Sequence, residues 1–287
     1  MDLPVSIIVL TCNAGDGFVQ FAEMIKKQTA NIVKVLVVDS SSIDKTVEIS
    51  KNYGFDIEVI DRKDFGHGKT RQYALEKVDT EIVVFMTQDA QLVDDFSVER
   101  IVDSFNSDNK IAAAYGRQLP YPNTGLLGSF ARLFNYPEIS RINTFDDRLK
   151  RGIKTVFLSD SFAAYKKTLL LENGGFPKHV NFGEDTYVAG KLLIAGYKTV
   201  YCAEAKVYHA HDYSLIEQFR RNKEIGKFHK QEKWLLDTFG IAEGEGFKYV
   251  RAEAKYLLQQ GKWYVLPFAF MQNVFKLLGY KVGNIVG

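Results

Sequence analysis

The chain has 287 residues, of which 46% are hydrophobic and 25% charged, the balance of a packed globular protein rather than a disordered or collagen-like one. A net charge of +2 is too small to advertise a nucleic-acid partner, and the two cysteines, Cys12 and Cys202, lie in apolar strand-like runs, which argues against a disulfide scaffold and for a reducing compartment. The opening Met1-Asp2-Leu3-Pro4-Val5 lacks the basic lead and cleavage site of a signal peptide, and no run approaches the roughly 20 apolar residues that a bilayer span requires, so the expectation is a cytoplasmic protein.

Residues 5–10 and 33–38 are near-continuous β-branched runs, the pattern of strands covered on both faces of a parallel sheet. Helical patterns occupy about 18–28, 44–53 and 69–78, and further strands fall at 57–61, 81–86 and 111–115. This alternation predicts an α/β domain with an open, Rossmann-like doubly wound sheet, helices on both faces, and ligands bound beyond the carboxyl ends of its strands. After Gly116 a loop-rich stretch with Pro120, Pro122 and Pro137 leads to a short predicted strand at 156–158 and a helix at 166–172, stopped by Asn173-Gly174-Gly175. A helix at 184–195, a strand at 205–209 and helices at 215–237, 246–260 and 263–278 complete the reading. The catalytic or binding domain is therefore expected over 1–212, followed by a C-terminal helical extension over 213–287.

Four constellations sit at strand ends. Thr11-Cys12-Asn13 follows the first strand and Asp39-Ser40-Ser41-Ser42 the second; in a doubly wound sheet these ends are neighbours, so Thr11, Asn13, Asp39 and Ser41 can line a pocket for a nucleobase or ribose. The alternative is turn and capping chemistry, with Asn13 in the turn and Ser42 or Asp44 capping the next helix. His67-Gly68-Lys69-Thr70-Arg71 is not a P-loop, because Lys63 stands where that motif needs glycine. A glycine-rich helix start carrying His67, Lys69 and Arg71 can still bind a diphosphate through free N–H groups and positive charge, or it can be a plain turn with solvated cations. Gln88-Asp89-Ala90-Gln91 follows a hydrophobic strand, where Asp89 is placed to hold a divalent cation with oxygen ligands, unless it serves solubility alone. Glu184 and Asp185 open a helix whose dipole they suit, and His209 and His211, at i and i+2, share one face of an extended segment and can offer nitrogen to one metal.

Together Thr-Cys-Asn, Val-Val-Asp-Ser, Gln-Asp-Ala-Gln, the Gly-Gly-Phe turn at Gly174 to Phe176 and Phe-Gly-Glu-Asp resemble the family 2 glycosyltransferases of the GT-A fold, over roughly residues 4–211. Phe-Gly-His-Gly-Lys-Thr-Arg and Thr-Gln-Asp-Ala are most similar to the rhamnosyltransferases that use dTDP-rhamnose in bacterial surface polysaccharide synthesis. The resemblance implies a donor-binding half at about 1–116 and an acceptor half at about 117–212. It further implies an inverting displacement with Asp185 as general base and Glu184 as helper or substitute, and a Mg2+ or Mn2+ held through Asp89 and Gln91 with His209 or His211. Lys69 or Arg71 would add positive charge at the diphosphate. Gln91 stands where the family's Asp-x-Asp has its last acid, which weakens the pull on a cation.

The tail carries Arg220, Arg221, Lys223, Lys227, Lys230 and Lys233 in one predicted helix, beside an aromatic-rich one. That combination predicts either an anchor on the inner face of the membrane, within reach of a lipid-linked saccharide acceptor, or an interface packed on the domain or on a second copy. A nicotinamide dehydrogenase is excluded, since Thr11 to Gly17 lacks Gly-x-Gly-x-x-Gly. A UDP-hexose donor in the same enzyme class, and a non-catalytic sugar-nucleotide-binding subunit suggested by Gln91, stay open, as do the acceptor, the linkage and the oligomeric state.

Overall fold

The computed structural model describes residues 3–242 and 244–287; Met1 and Asp2, where the leader reading began, lie outside them. In chain order the elements are β1 (Val5–Thr11), α1 (Gly17–Lys26), β2 (Ile32–Asp39), α2 (Thr46–Asn52), β3 (Asp56–Val59), α3 (His67–Glu76), β4 (Ile82–Thr87), β5 (Gln91–Leu92), α4 (Ser97–Asp103) and β6 (Ile111–Leu119). Then come α5 (Leu126–Asn135), β7 (Arg141–Asn143), α6 (Arg148–Arg151), β8 (Phe162–Lys166), α7 (Lys167–Glu172), α8 (Glu184–Ile194) and β9 (Lys198–Tyr208). Four helices close the chain: α9 (Leu215–Gln231), α10 (Lys233–Phe239), α11 (Glu245–Gln259) and α12 (Leu266–Val286).

The chain divides into two compact units. The first holds Met1–Gln118, Glu138–Phe145 and Val156–His209. Its strands form one mixed sheet in the order β3-β2-β1-β4-β8-β6-β9-β5, with β7 on β9. The β-branched runs behave as expected: β1 pairs in parallel with β2 and β4 and is almost wholly buried, because helices cover the sheet. In α1 the buried Phe18, Phe21, Ala22 and Ile25 fall at i, i+3, i+4 and i+7, one apolar stripe laid on that sheet.

Several expectations are corrected. The predicted strand at 156–158 is instead the last residue of a 3-10 turn, Gly152–Val156, and the irregular segment after it, and the strand lies further on at β8, which runs antiparallel between β4 and β6. Phe-Ala-Ala-Tyr has no branched residue to announce a strand, yet all four side chains are fully buried, the alanines letting covering layers approach closely. The strand expected at 205–209 spans Lys198–Tyr208, and the helix expected at 215–237 breaks at Glu232 into α9 and α10. The stop at Gly174 and Gly175 holds, both glycines having positive φ (98° and 65°).

The second unit holds Leu119–Pro137, Asp146–Thr155 and Ala210–Gly287, so two stretches of the expected acceptor half pack with the tail. Ser214 and Glu217 form a capping box at the start of α9. Helices α9 and α12 lie against each other backbone to backbone: a Cβ on Gly279 would meet the Phe219 carbonyl oxygen at 2.3 Å, one on Gly283 the Lys223 oxygen at 2.0 Å, and one on Gly226 the Tyr280 oxygen at 2.2 Å. Several cations of the expected basic helix have partners within this unit. Arg220 and Arg221 are exposed, but Lys227 is bonded to Glu224 (3.0 Å), Lys230 donates to the Ile285 carbonyl (2.6 Å) and Lys233 lies 4.0 Å from Asp237. Among the described residues no helix is long and apolar enough to cross a membrane.

Candidate active site

The parallel register sets Thr11 opposite Asp39 at the carboxyl ends of β1 and β2. Thr11 Oγ1 donates to Asp39 Oδ2 (2.8 Å), and Ser42 donates its N–H to Oδ1 (2.8 Å) and its hydroxyl to Oδ2 (2.5 Å). Asp39 is fully buried and has three of its roughly four acceptor sites filled, so it shapes this loop. Asn13 (φ 49°) and Ser41 (φ 53°) both adopt left-handed backbone, and they are the two positive-φ residues other than glycine among the described residues. Their strain is held by side-chain bonds: the Asn13 N–H donates to Ser42 Oγ (2.7 Å), the Ile43 N–H to Asn13 Oδ1 (2.9 Å), and Ser41 Oγ to the Ile60 carbonyl (2.8 Å). Gln88 straps the end of β4 to that of β1, accepting the Cys12 N–H (2.8 Å), while Arg62, missed in the sequence, brings Nη2 within 3.1 Å of Cys12 Sγ.

The glycine-rich start of α3 serves packing more than anion binding. The Gly68 N–H donates to the Val180 carbonyl (3.2 Å), and a Cβ there would meet the Pro177 oxygen at 2.0 Å, so this N–H is spent on the turn before α8. Lys69 is exposed with Nζ 3.7 Å from Asp64, and His67 is exposed at the helix start. Arg71 departs from the diphosphate role. It is 4% exposed; its Nε lies 2.9 Å from Asp160 and its Nη1 2.5 Å from Glu184. Turned inward, it neutralises acids instead of meeting a ligand.

Those acids belong to a buried charged cluster. Asp160, on the loop before β8, is 2% exposed and accepts the Tyr165 hydroxyl (2.5 Å). Glu184 is 5% exposed, and Asp185, half-buried beside it, accepts the Asp160 N–H at 3.4 Å. Two carboxylates therefore share one guanidinium, and a third, Asp185, stands beside them. Burial raises Asp160 to about 6, with Arg71 pulling the other way, and burial followed by the charges of Glu184 and Asp160 pushes Asp185 well above the ordinary carboxylate range. Asp160 and Tyr165 escaped sequence reading because Ser-Asp-Ser is an unremarkable loop and the strand after it was unrecognised.

Near β5 and β9, Asp89 Oδ2 lies 3.4 Å from His209 Nε2, and the other ring nitrogen of His209 is 2.9 Å from Gln118 Oε1. One carboxylate oxygen and one imidazole nitrogen facing each other at this spacing fit a divalent cation. Gln91 stands in β5 opposite Tyr208 and donates its amide to Gln20 (3.1 Å). His211 belongs to the second unit, tethered two residues beyond His209.

Residues 6–174, more than half of the chain, match the model of the family described as glycosyl transferase family 2. The chain belongs to glycosyltransferase family 2. This glycosyltransferase is 42% identical over 284 residues to the O-antigen chain rhamnosyltransferase RfbN of Salmonella typhimurium (strain LT2), a match covering 98% of this chain and 90% of the relative. It is 40% identical over 281 residues to the O-antigen chain rhamnosyltransferase WbaN of Salmonella anatum, covering 97% and 89%. Its GT-A fold is similar to that of the mannosyltransferase PcManGT from Pyrobaculum calidifontis, solved in complex with GDP-Man and Mn2+, with a TM-score of 0.67 at 19% identity over 98% of this chain and 87% of that one.

Proposed function

We propose that this glycosyltransferase moves L-rhamnose from dTDP-rhamnose to a lipid-linked saccharide acceptor during bacterial cell-surface polysaccharide synthesis. The observation that carries this reading is 40–42% identity, over nearly the whole length, to two O-antigen chain rhamnosyltransferases. In the proposed reaction the acceptor hydroxyl oxygen attacks the anomeric carbon, the bond from that carbon to the diphosphate oxygen breaks, and the nucleoside diphosphate leaves with inversion. Asp185 is the proposed base: it receives the hydroxyl proton, and its raised proton affinity suits that task. Glu184 is bound to Arg71, which supports Asp185 over Glu184 in that role.

Thr11, Asn13, Asp39, Ser41 and Gln88 are the proposed surroundings of the nucleoside, with Lys69 and His67 reaching toward the diphosphate. Asp89 and His209, with His211 nearby in the chain, would hold Mg2+ or Mn2+, whose charge would offset that of the leaving diphosphate. The exposed Phe268, Phe270, Met271, Leu277 and Leu278 of α12 support a site at the membrane's inner face for a lipid-linked acceptor. A thermal-shift panel of dTDP-rhamnose, UDP-sugars and their free nucleotides, with and without Mn2+, tests the donor, because a ligand of the folded state raises the melting point by mass action. A metal-enhanced shift with dTDP-rhamnose is expected; a shift confined to UDP-sugars would overturn the donor.

A further inference from the structure

Gln118, at the end of β6, is 1% exposed, and both ends of its amide are engaged. Its Nε2 donates to Ser159 Oγ (2.9 Å), on the loop that carries Asp160, and its Oε1 faces His209 Nδ1 at 2.9 Å. A carbonyl oxygen cannot donate, so the proton of this bond sits on Nδ1. His209 is itself 8% exposed, so a lost partner here costs the full desolvation of a polar group. With Nδ1 protonated in the neutral ring, Nε2 carries the lone pair, and it points at Asp89 Oδ2 3.4 Å away. Two acceptors held that close repel each other unless a proton or a cation lies between them.

We propose that Gln118 is a positioning residue that fixes the tautomer and ring orientation of His209, so that Nε2 is presented with Asp89 to a divalent cation. Outer partners of this kind hold a metal-ligating imidazole in place and raise its basicity. The amide is anchored through Ser159, which makes the orientation of His209 depend on the loop bearing the buried acids. This rests on the metal site of the proposed function, and its test separates the two.

The direct test needs no substitution. A long-range 1H–15N spectrum of the neutral imidazoles at pH 8, with His209 assigned by the signal missing in His209→Ala, is expected to show the Nδ1–H tautomer; an Nε2–H tautomer overturns the proposal. Binding supplies the second arm, by calorimetric titration of Mn2+ into the full chain saturated with dTDP. Gln118→Met, close in shape and unable to accept, is expected to weaken Mn2+ by about 10–100-fold. Gln118→Glu, which still accepts, is expected to restore it, with dTDP affinity in EDTA unchanged in both. In a His209→Ala background Gln118→Met is expected to have no further effect. Parent-like Mn2+ affinity in Gln118→Met, or equal losses in the Met and Glu variants, overturns the role of Gln118 alone. A parent that binds dTDP but no Mn2+ overturns the metal site and this inference with it.

Discussion

Two acidic regions of the first unit treat charge in opposite ways. Asp160 and Glu184 share one buried guanidinium with Asp185 beside them, so the chain supplies its own cation, and the remaining negative charge raises the proton affinity of Asp185. Asp89, 45% exposed at its side chain, instead faces the buried imidazole of His209, an arrangement open to a cation from solution on the Asp89 side. Carboxylates alone do not say what a site does; the source of the countercharge does. A region neutralised from within handles protons and holds the fold, whereas one neutralised from outside binds.

The largest test of that contrast is Asp185→Asn. The variant is expected to lose about 10²–10⁴-fold in kcat, the usual contribution of a positioned base, while binding the donor as before in a calorimetric titration. Lost donor binding with the chemistry intact would move Asp185 to the other class.

Arg71→Met should reveal the structural side. Removing one partner of a buried ion pair costs about 3–5 kcal/mol, which for a chain of this size lowers the melting temperature by roughly 6–20 °C. Asp89→Asn, half-exposed, is expected to stay within about 0.5 kcal/mol in the same melts. Equal losses would erase the distinction drawn above.

The smallest effect concerns pH. The proposed base, Asp185, must act as a carboxylate, so kcat/KM is expected to fall as pH drops through its raised pKa, with the acid limb of the profile above the usual carboxylate range. Glu184→Gln removes a negative neighbour that raises Asp185 and leaves Arg71 freer to lower it. The acid limb is then expected to move to lower pH, with turnover retained in part; an unmoved limb would detach the limb from Asp185.

What the sequence disclosed followed from how far each signal reaches along the chain. The β-branched runs of β1, β2 and β4 and the Asn-Gly-Gly stop are local, and they were legible. So were the positions of Asp39, Asp89, Glu184 and Asp185 at the ends of recognised elements. Arg71 was identified as a cation but not as a buried one, because its partners lie 89 and 113 residues away along the chain, beyond any periodicity. Gln118 was within reach: a polar residue closing an apolar strand, at the edge where ligands gather. Asp160 was not, since its meaning depends on β8, whose plain Phe-Ala-Ala-Tyr becomes a central strand only through the neighbours it inserts between.

That insertion also sets a schedule for synthesis. β4 is complete at Thr87, yet the strand that joins it to β6 ends at Lys166, some 80 residues later. At ordinary translation speeds of roughly 5–20 residues per second, the middle of the sheet stays open for about 4–16 s on the ribosome. During that interval β4, joined by β6 once residue 119 is made, offers an unpaired apolar edge, the feature that seeds aggregation. This glycosyltransferase is therefore most exposed to misassembly while it is being made, and slower elongation before residue 166 would lengthen that vulnerable period.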